Sequence, residues 1–235
     1  MRGTTLVNLL TQYRAECRMS RNVNHNEGDR DRQIGHIQRV QEWLWEDFNW
    51  PNLRVERTLE VAAGQNTYAM PDDLDIDRIE KVELWYGARY VELFNGIDAV
   101  HYSSFNPALD MRSWPLSRWR ISEDEQLEVW PLPTEDYDAT TLEGQIKITG
   151  IRKLNPLVED GDTADLDDQL IVLFCAAEYL AGSGAKDANL KLDKANKRYS
   201  KLRGRQTKRN PVNMFVDQTR LRPERIPIAV FNSTS

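Results

Sequence analysis

Hydrophobic positions along this chain keep one period, switch to another and then return to the first. Residues 4–18 carry Leu6, Val7, Leu9, Leu10 and Tyr13, and residues 29–47 carry Ile34, Ile37, Val40, Trp43 and Leu44. Both sets follow helical spacing, which predicts two helices separated by a polar loop at 20–27. The second ends in aromatic residues, Trp43, Trp45, Phe48 and Trp50, and Pro51 stops it. Beyond Pro51 the period becomes two. Leu59 and Val61 alternate with charged residues, and Gly64 to Asn66 marks a turn before Tyr68. Residues 81–93 predict a hairpin turning at Gly87-Ala88-Arg89, with Val82, Leu84 and Tyr86 on one side and Val91 and Leu93 on the other. Residues 97–104 suit one or two helical turns. Residues 119–130 predict a second hairpin with its tip at 122–125, and Ile146 and Ile148 mark a last strand within 144–150.

The helical period returns at 166–202. Leu170, Ile171, Leu173, Phe174, Ala177 and Leu180 form one stripe, and Ala188, Leu192, Ala195, Tyr199 and Leu202 form another. Gly182 and Gly184 lie between them, so the two helices are expected to be antiparallel neighbours. The expected fold class is therefore α+β: a four-helix bundle of two helical pairs, with an inserted small antiparallel β domain and a long extended C-terminal arm. Its parts would be an N-terminal helical pair at 1–50, the β domain at 51–152, the helical hairpin at 153–204 and the arm at 205–235. The arm is not featureless: Val212, Met214 and Val216 alternate, as do Ile226, Ile228 and Val230, a pattern suited to adding strands to another surface.

Composition narrows the function classes. The chain has 235 residues, 40% hydrophobic and 29% charged, which suits a globular protein of one or two domains. No run of eighteen apolar residues and no secretory leader pattern is present, so a cytoplasmic site of synthesis without a membrane role is expected. Cys17 and Cys175 are too few for a disulfide framework. Charge is uneven. Residues 197–225 hold ten Lys or Arg against Asp217 and Glu224, a net +8 that leaves −14 on the remainder of a chain totalling −6. An acidic body with a basic arm is drawn to acidic surfaces, copies of itself included.

Residues 159–168 hold six carboxylates without the alternation, central glycine and closing Glu of a calcium loop. They suit capping of the next helix, with Asp165 or Thr163 as the cap. Gly182-Ser183-Gly184-Ala185-Lys186 follows a helix rather than a strand, so it reads as an interhelical turn and not a phosphate loop. His25, His36 and His101 share no metal-ligand spacing, and no nucleophile or zinc-protease motif is present. No catalytic residue, cofactor or metal ligand is assigned, and the chain is not expected to be an enzyme. The aromatic cluster at 43–50 reads as core between helices and β domain rather than as a stacking platform. Lys201, Arg203, Arg205, Lys208 and Arg209 suit phosphate contact, which leaves a nucleic-acid-binding protein as an alternative. Trp85, Trp114, Trp119 and Trp130 leave open a carbohydrate-binding β domain. The apolar anchors interleaved in the arm favour a protein surface instead: Arg205, Lys208, Arg209, Val212, Met214, Phe215, Val216, Leu221, Ile226, Ile228, Val230 and Phe231 are the candidate interface residues.

Several phrases, taken with the order of parts, carry a family likeness. Gly64-Gln65-Asn66-Thr67-Tyr68-Ala69-Met70-Pro71-Asp72-Asp73, Leu127-Glu128-Val129-Trp130-Pro131-Leu132-Pro133, and Leu154 with the run 165–180 resemble the head-to-tail adaptors of tailed bacteriophages, the tail tubular protein A group among them. The likeness spans roughly residues 5–203. It implies a virion protein of the neck, assembled in the host cytoplasm, in a homo-oligomeric ring, usually of twelve copies, beneath the portal protein. It implies a tail or nozzle protein below, and double-stranded DNA passing through the channel without specific binding. It also implies a C-terminal segment that reaches a neighbouring subunit or the portal.

Overall fold

The computed structural model describes residues 2–20 and 28–206. Among them lie five α-helices and eight strands in two four-stranded sheets. Helix α1 (Leu6–Glu16) buries Leu6, Leu9, Leu10 and Tyr13, and α2 (Arg30–Asp47) buries Ile37, Val40 and Leu44. Both stand where their periodicity put them. Trp50 is fully buried, and its indole N–H donates to the Leu44 carbonyl at 2.7 Å, pairing one of the acceptors that a helix leaves open at its end.

Strands β1 (Arg54–Glu60), β2 (Thr67–Tyr68), β3 (Leu74–Tyr86), β4 (Arg89–Glu92) and β5 (Phe94–Asn95) follow. Then come α3 (Ala99–Ser104), β6 (Arg118–Ile121), β7 (Leu127–Trp130) and β8 (Gln145–Arg152). One sheet has the order β1-β8-β3-β4 and the other β2-β7-β6-β5. Val82, Leu84, Ile146 and Ile148 of the first sheet and Tyr68, Trp119, Leu127 and Val129 of the second share one apolar cluster, so the two sheets face each other. Both hairpins form: Tyr86 pairs Arg89 across a two-residue turn, Gly87 and Ala88, at φ 60° and 61°, and β6 pairs β7 around 122–125. Strand β3 begins at Leu74, well before the hairpin that periodicity marked, and a bulge between Ile79 and Lys81 breaks its register with β8. Gly150 sits opposite this irregularity; a Cβ there would lie 2.9 Å from the Arg78 carbonyl oxygen, closer than a side chain tolerates.

Helices α4 (Asp168–Gly182) and α5 (Ala188–Gln206) form the expected hairpin, with Gly184 at φ +70° in its turn. The expected fold class needs correction. The β part is not a small antiparallel insert: it is eight strands in two sheets, one edge of which, β5 against β6, is parallel. The helices do not make a four-helix bundle of two pairs either. Residues 170–177 of α4 are buried without interruption, and α1, α2 and α5 pack around it, while α3 belongs to the β part. A helix apolar on every side becomes a hub, whereas a bundle needs each member to bury one stripe. Ile151 of β8 runs into the helical core while Ile146 and Ile148 of the same strand fill the β core, so one strand joins both.

Candidate interaction surfaces

The joint between helices and sheets is built from the aromatic end of α2. The Trp45 indole N–H donates to the Arg152 carbonyl on β8 at 3.2 Å, and the Arg78 guanidinium on β3 lies 4.1 Å from the Trp45 ring centroid. Arg78 also donates to the carbonyls of Trp45 and Glu46, at 2.5 and 2.8 Å, placing a cation on the negative end of α2. Arg152 in turn pairs with Asp165, which accepts the Asn155 backbone N–H at 2.7 Å. Trp45 thus bridges helices and sheets, as expected for the cluster, whereas Phe48 and Trp50 pack on each other within the helical core, beside Tyr199 and Arg203 of α5. Trp43 is not core: its edge meets Phe174 at 5.2 Å between centroids, but it remains 47% exposed.

The acidic stretch before α4 is distributed among separate partners. Asp160 pairs with Arg30, Asp162 accepts the backbone N–H groups of Val158 and Glu159, and Asp168 accepts the Thr4 hydroxyl at 2.5 Å. The N-cap is neither Asp165 nor Thr163 but Asp167, which accepts the Leu170 N–H at 3.0 Å. Asp165 is drawn away by Arg152, and Thr163 forms a bridge with Thr5. The same Asp167 carboxylate receives Arg198 of α5 through two bonds, of 2.5 and 2.8 Å. Burial works to raise its pKa, but the hydrogen bonds from Arg198 and the Leu170 N–H outweigh it and hold the carboxyl below its ordinary value. Among the described residues no three His, Cys, Asp or Glu side chains are grouped to hold a metal.

The phrase from Gly64 to Asp73 is an internal brace. The buried Tyr68 hydroxyl donates to the Gln65 carbonyl at 2.8 Å and accepts the Ala62 N–H at 3.1 Å, while Gly64, at φ +74°, donates its N–H to Pro133. Asp73 pairs with Arg57 of β1, whose guanidinium holds the Asp73 carboxyl below its ordinary pKa. Glu128 on β7 is buried, with the Arg120 Nε and the Tyr102 hydroxyl each at 2.6 Å; burial and this hydrogen bond push the Tyr102 hydroxyl up to about 12.

Nothing in these arrangements activates a nucleophile. Cys17 and Cys175 are buried free thiols; burial pushes Cys17 up to about 11 and Cys175 higher, so neither is a thiolate near neutral pH. His36 is held between the Tyr13 hydroxyl, at 2.9 Å, and Glu178, at 2.8 Å. His101 accepts the Asp98 N–H in the capping box of α3, and His25 lies outside the described residues. Trp119 packs in the β core, Trp130 is buried against His101 and Phe105, Trp85 donates to the Thr141 carbonyl at 2.8 Å, and Trp114 packs on Tyr86. They do not make one exposed sugar platform. No described helix is long and apolar enough to cross a membrane.

Two places carry several exposed apolar side chains each. Phe94, Val100, Leu109 and Met111 are exposed along residues 94–111, the stretch that carries β5 and α3. The second place is a groove of about 440 Å³ between α2 and α5, floored by α4, with Val40, Trp43, Phe174, Ala177 and Leu192 on its walls and floor. Arg39 and Glu178 stand at its rim, 2.5 Å apart.

A phage adaptor model, described as SU10 adaptor protein, matches residues 4–215. This chain belongs to the SU10 adaptor protein family. The match agrees with the resemblance to head-to-tail adaptors drawn from the short motifs, and the family is one of structural phage proteins. No curated protein matches the chain.

Of the interface residues expected for this SU10 adaptor, Arg205 stands exposed on the last turn of α5. Lys208, Arg209, Val212, Met214, Phe215, Val216, Leu221, Ile226, Ile228, Val230 and Phe231 lie outside the described residues. Two features went unread in the sequence. Trp43 and Leu192 belong to periodic stripes and were expected in the core, yet Leu192 is 42% exposed and Trp43 more so. The Asp167–Arg198 pair had no sequence signal beyond charge, because neither position shares a local spacing with the other.

Proposed function

We propose that this chain is a non-enzymatic head-to-tail adaptor whose copies form a closed ring below the portal protein, continue the DNA channel and present the surface to which the tail or nozzle protein attaches. It then resides in the virion neck after assembly in the host cytoplasm. The family match over residues 4–215 carries the reading. Two further observations support it. Helices and sheets share strand β8 and the Trp45–Arg78–Arg152 joint, which suits a subunit that must hold a fixed angle in a ring. The charge split gives an acidic body, which repels a DNA duplex in transit, and a basic segment able to bind acidic neighbours. Docking falls to Arg205 and the arm that follows it.

The test is reconstitution with purified portal, viewed by electron microscopy. Full-length protein is expected to add a ring beneath the portal. Protein lacking residues 207–235 is expected to melt within a few degrees of the full chain, because both described cores lie before residue 207, and to lose portal docking. Truncated protein that docks at full occupancy removes the arm from the reading. Duplex DNA titrated at rising salt is expected to show negligible binding; a steep fall of affinity with salt points instead to a phosphate-binding protein.

A further inference from the structure

On α5 three cations are matched and four are not. Lys191 pairs with Glu16, Arg198 with Asp167 and Arg203 with Asp47. Lys194, Lys197, Lys201 and Arg205 are exposed and meet no carboxylate among the described residues. Steps of three, four and four place them within about 80° of one another around the helix, in a row about 16 Å long. Leu190, 53% exposed, stands on the same line one turn earlier, and Asp193 flanks it.

The opposite charge is gathered on the β part. Glu123-Asp124-Glu125 is the sequence's only run of three successive acids, and it forms the tip of the hairpin between β6 and β7. The tip is held in shape: the Ser122 N–H donates to the Gln126 carbonyl at 2.9 Å, and the Glu125 N–H donates to the Ser122 carbonyl at 3.1 Å. Glu125 takes φ +57°, a left-handed position that such a turn ordinarily gives to glycine, so charge is carried there against conformational preference. All three acids are exposed and pair with no cation among the described residues. The acidic stretch before α4, in contrast, is occupied: Asp160, Asp162, Asp165, Asp167 and Asp168 all have partners within the chain.

We infer that the Glu123–Glu125 tip of one copy docks on the Lys194, Lys197 and Lys201 row of a second copy. The inference deepens the ring reading and rests on it for the presence of neighbouring copies. Each side holds like charges that its own chain leaves unmatched, and one contact relieves both repulsions. A duplex phosphate backbone would satisfy the row but leave the tip uncompensated, whereas a second copy satisfies both. Tip and row lie on different parts of the molecule, so the contact is head-to-tail, the kind that repeats until a ring closes.

Three full-length variants test this. One reverses the tip (Glu123→Lys, Asp124→Lys, Glu125→Lys), one reverses the row (Lys194→Glu, Lys197→Glu, Lys201→Glu), and one carries both sets. All six positions are exposed, and circular dichroism melts serve as the folding control. Wild type is expected to self-associate by sedimentation velocity at low salt and less at high salt. Each single reversal is expected to weaken that association by about tenfold or more, since like charges then face each other. The double reversal, and an equimolar mixture of the two single reversals, are expected to recover it. A single reversal that associates like wild type, a double reversal no better than the singles, or wild type that stays monomeric at low salt up to its solubility limit overturns the proposal. Duplex DNA binding that is lost on row reversal while self-association stays unchanged overturns it too, and makes the row a phosphate surface. Row-reversed protein mixed with purified portal separates the failures: a complete ring there overturns this contact and leaves the ring reading standing.

Discussion

Asp167 performs two functions with one carboxylate, capping α4 through Leu170 and holding α5 through Arg198. Replacing it with Ala is expected to cost about 2 kcal/mol, the sum of a lost cap and a lost, partly buried ion pair, measured as a shift in urea midpoint. Asp167→Asn keeps a capping oxygen and removes the charge, so it isolates the pair. Because the folded carboxyl lies below its ordinary value, its contribution is fully present above the unfolded pKa of about 3.9 and disappears as pH falls through the lower folded value. The stability gap between wild type and Asp167→Asn is therefore expected at pH 7 and should close on acidification below the carboxylate range. A gap that widens in acid contradicts the assignment. Gly150 is constrained by space: Gly150→Ala puts a methyl 2.9 Å from the Arg78 carbonyl oxygen and 3.1 Å from Leu74 Cδ1. The strand must shift, at about 1–3 kcal/mol, and the shift carries Arg78 away from the end of α2. Thermal melting is expected to fall accordingly.

At the scale of elements, local chemistry was legible wherever a turn or period specified it. The hairpin between β3 and β4 formed where Gly87-Ala88-Arg89 was read as its turn, one residue longer than the Gly87-Ala88 turn observed, and the helical hairpin turned at its glycines. Ala88 adopts positive φ without the freedom of glycine, so Ala88→Gly is expected to stabilise the hairpin by about 0.5–1 kcal/mol, visible as a higher melting temperature. The cap of α4 was misread because four acidic residues compete within a few positions of the helix start. Arg152, distant in sequence, occupies Asp165, and Thr5 occupies Thr163, the other candidate cap. Trp43 and Leu192 were placed in the core for a related reason: a period identifies a stripe but not whether a partner covers its whole length. The groove they leave was invisible until α2, α4 and α5 were seen together.

At the scale of the whole molecule, two apolar cores meet along β8, and the Trp45–Arg78–Arg152 joint couples them. Trp45→Ala is expected to loosen this coupling, so that unfolding followed by near-ultraviolet circular dichroism and by far-ultraviolet circular dichroism no longer coincides; coincident transitions in the variant would show that the joint does not bind the halves. The sequence by itself determined the four long helices, the positions of both β-hairpins and of the helical hairpin, and the family likeness, because all of these rest on neighbours a few positions apart. Only the tertiary structure decided that α4 is a hub, that β8 lies between β1 and β3, that Asp167 is the capping carboxylate and that Trp43 stays uncovered. Each of those depends on contacts between residues far apart in the chain, where many pairings satisfy the same local pattern and the competition for buried area and for ion-pair partners selects one.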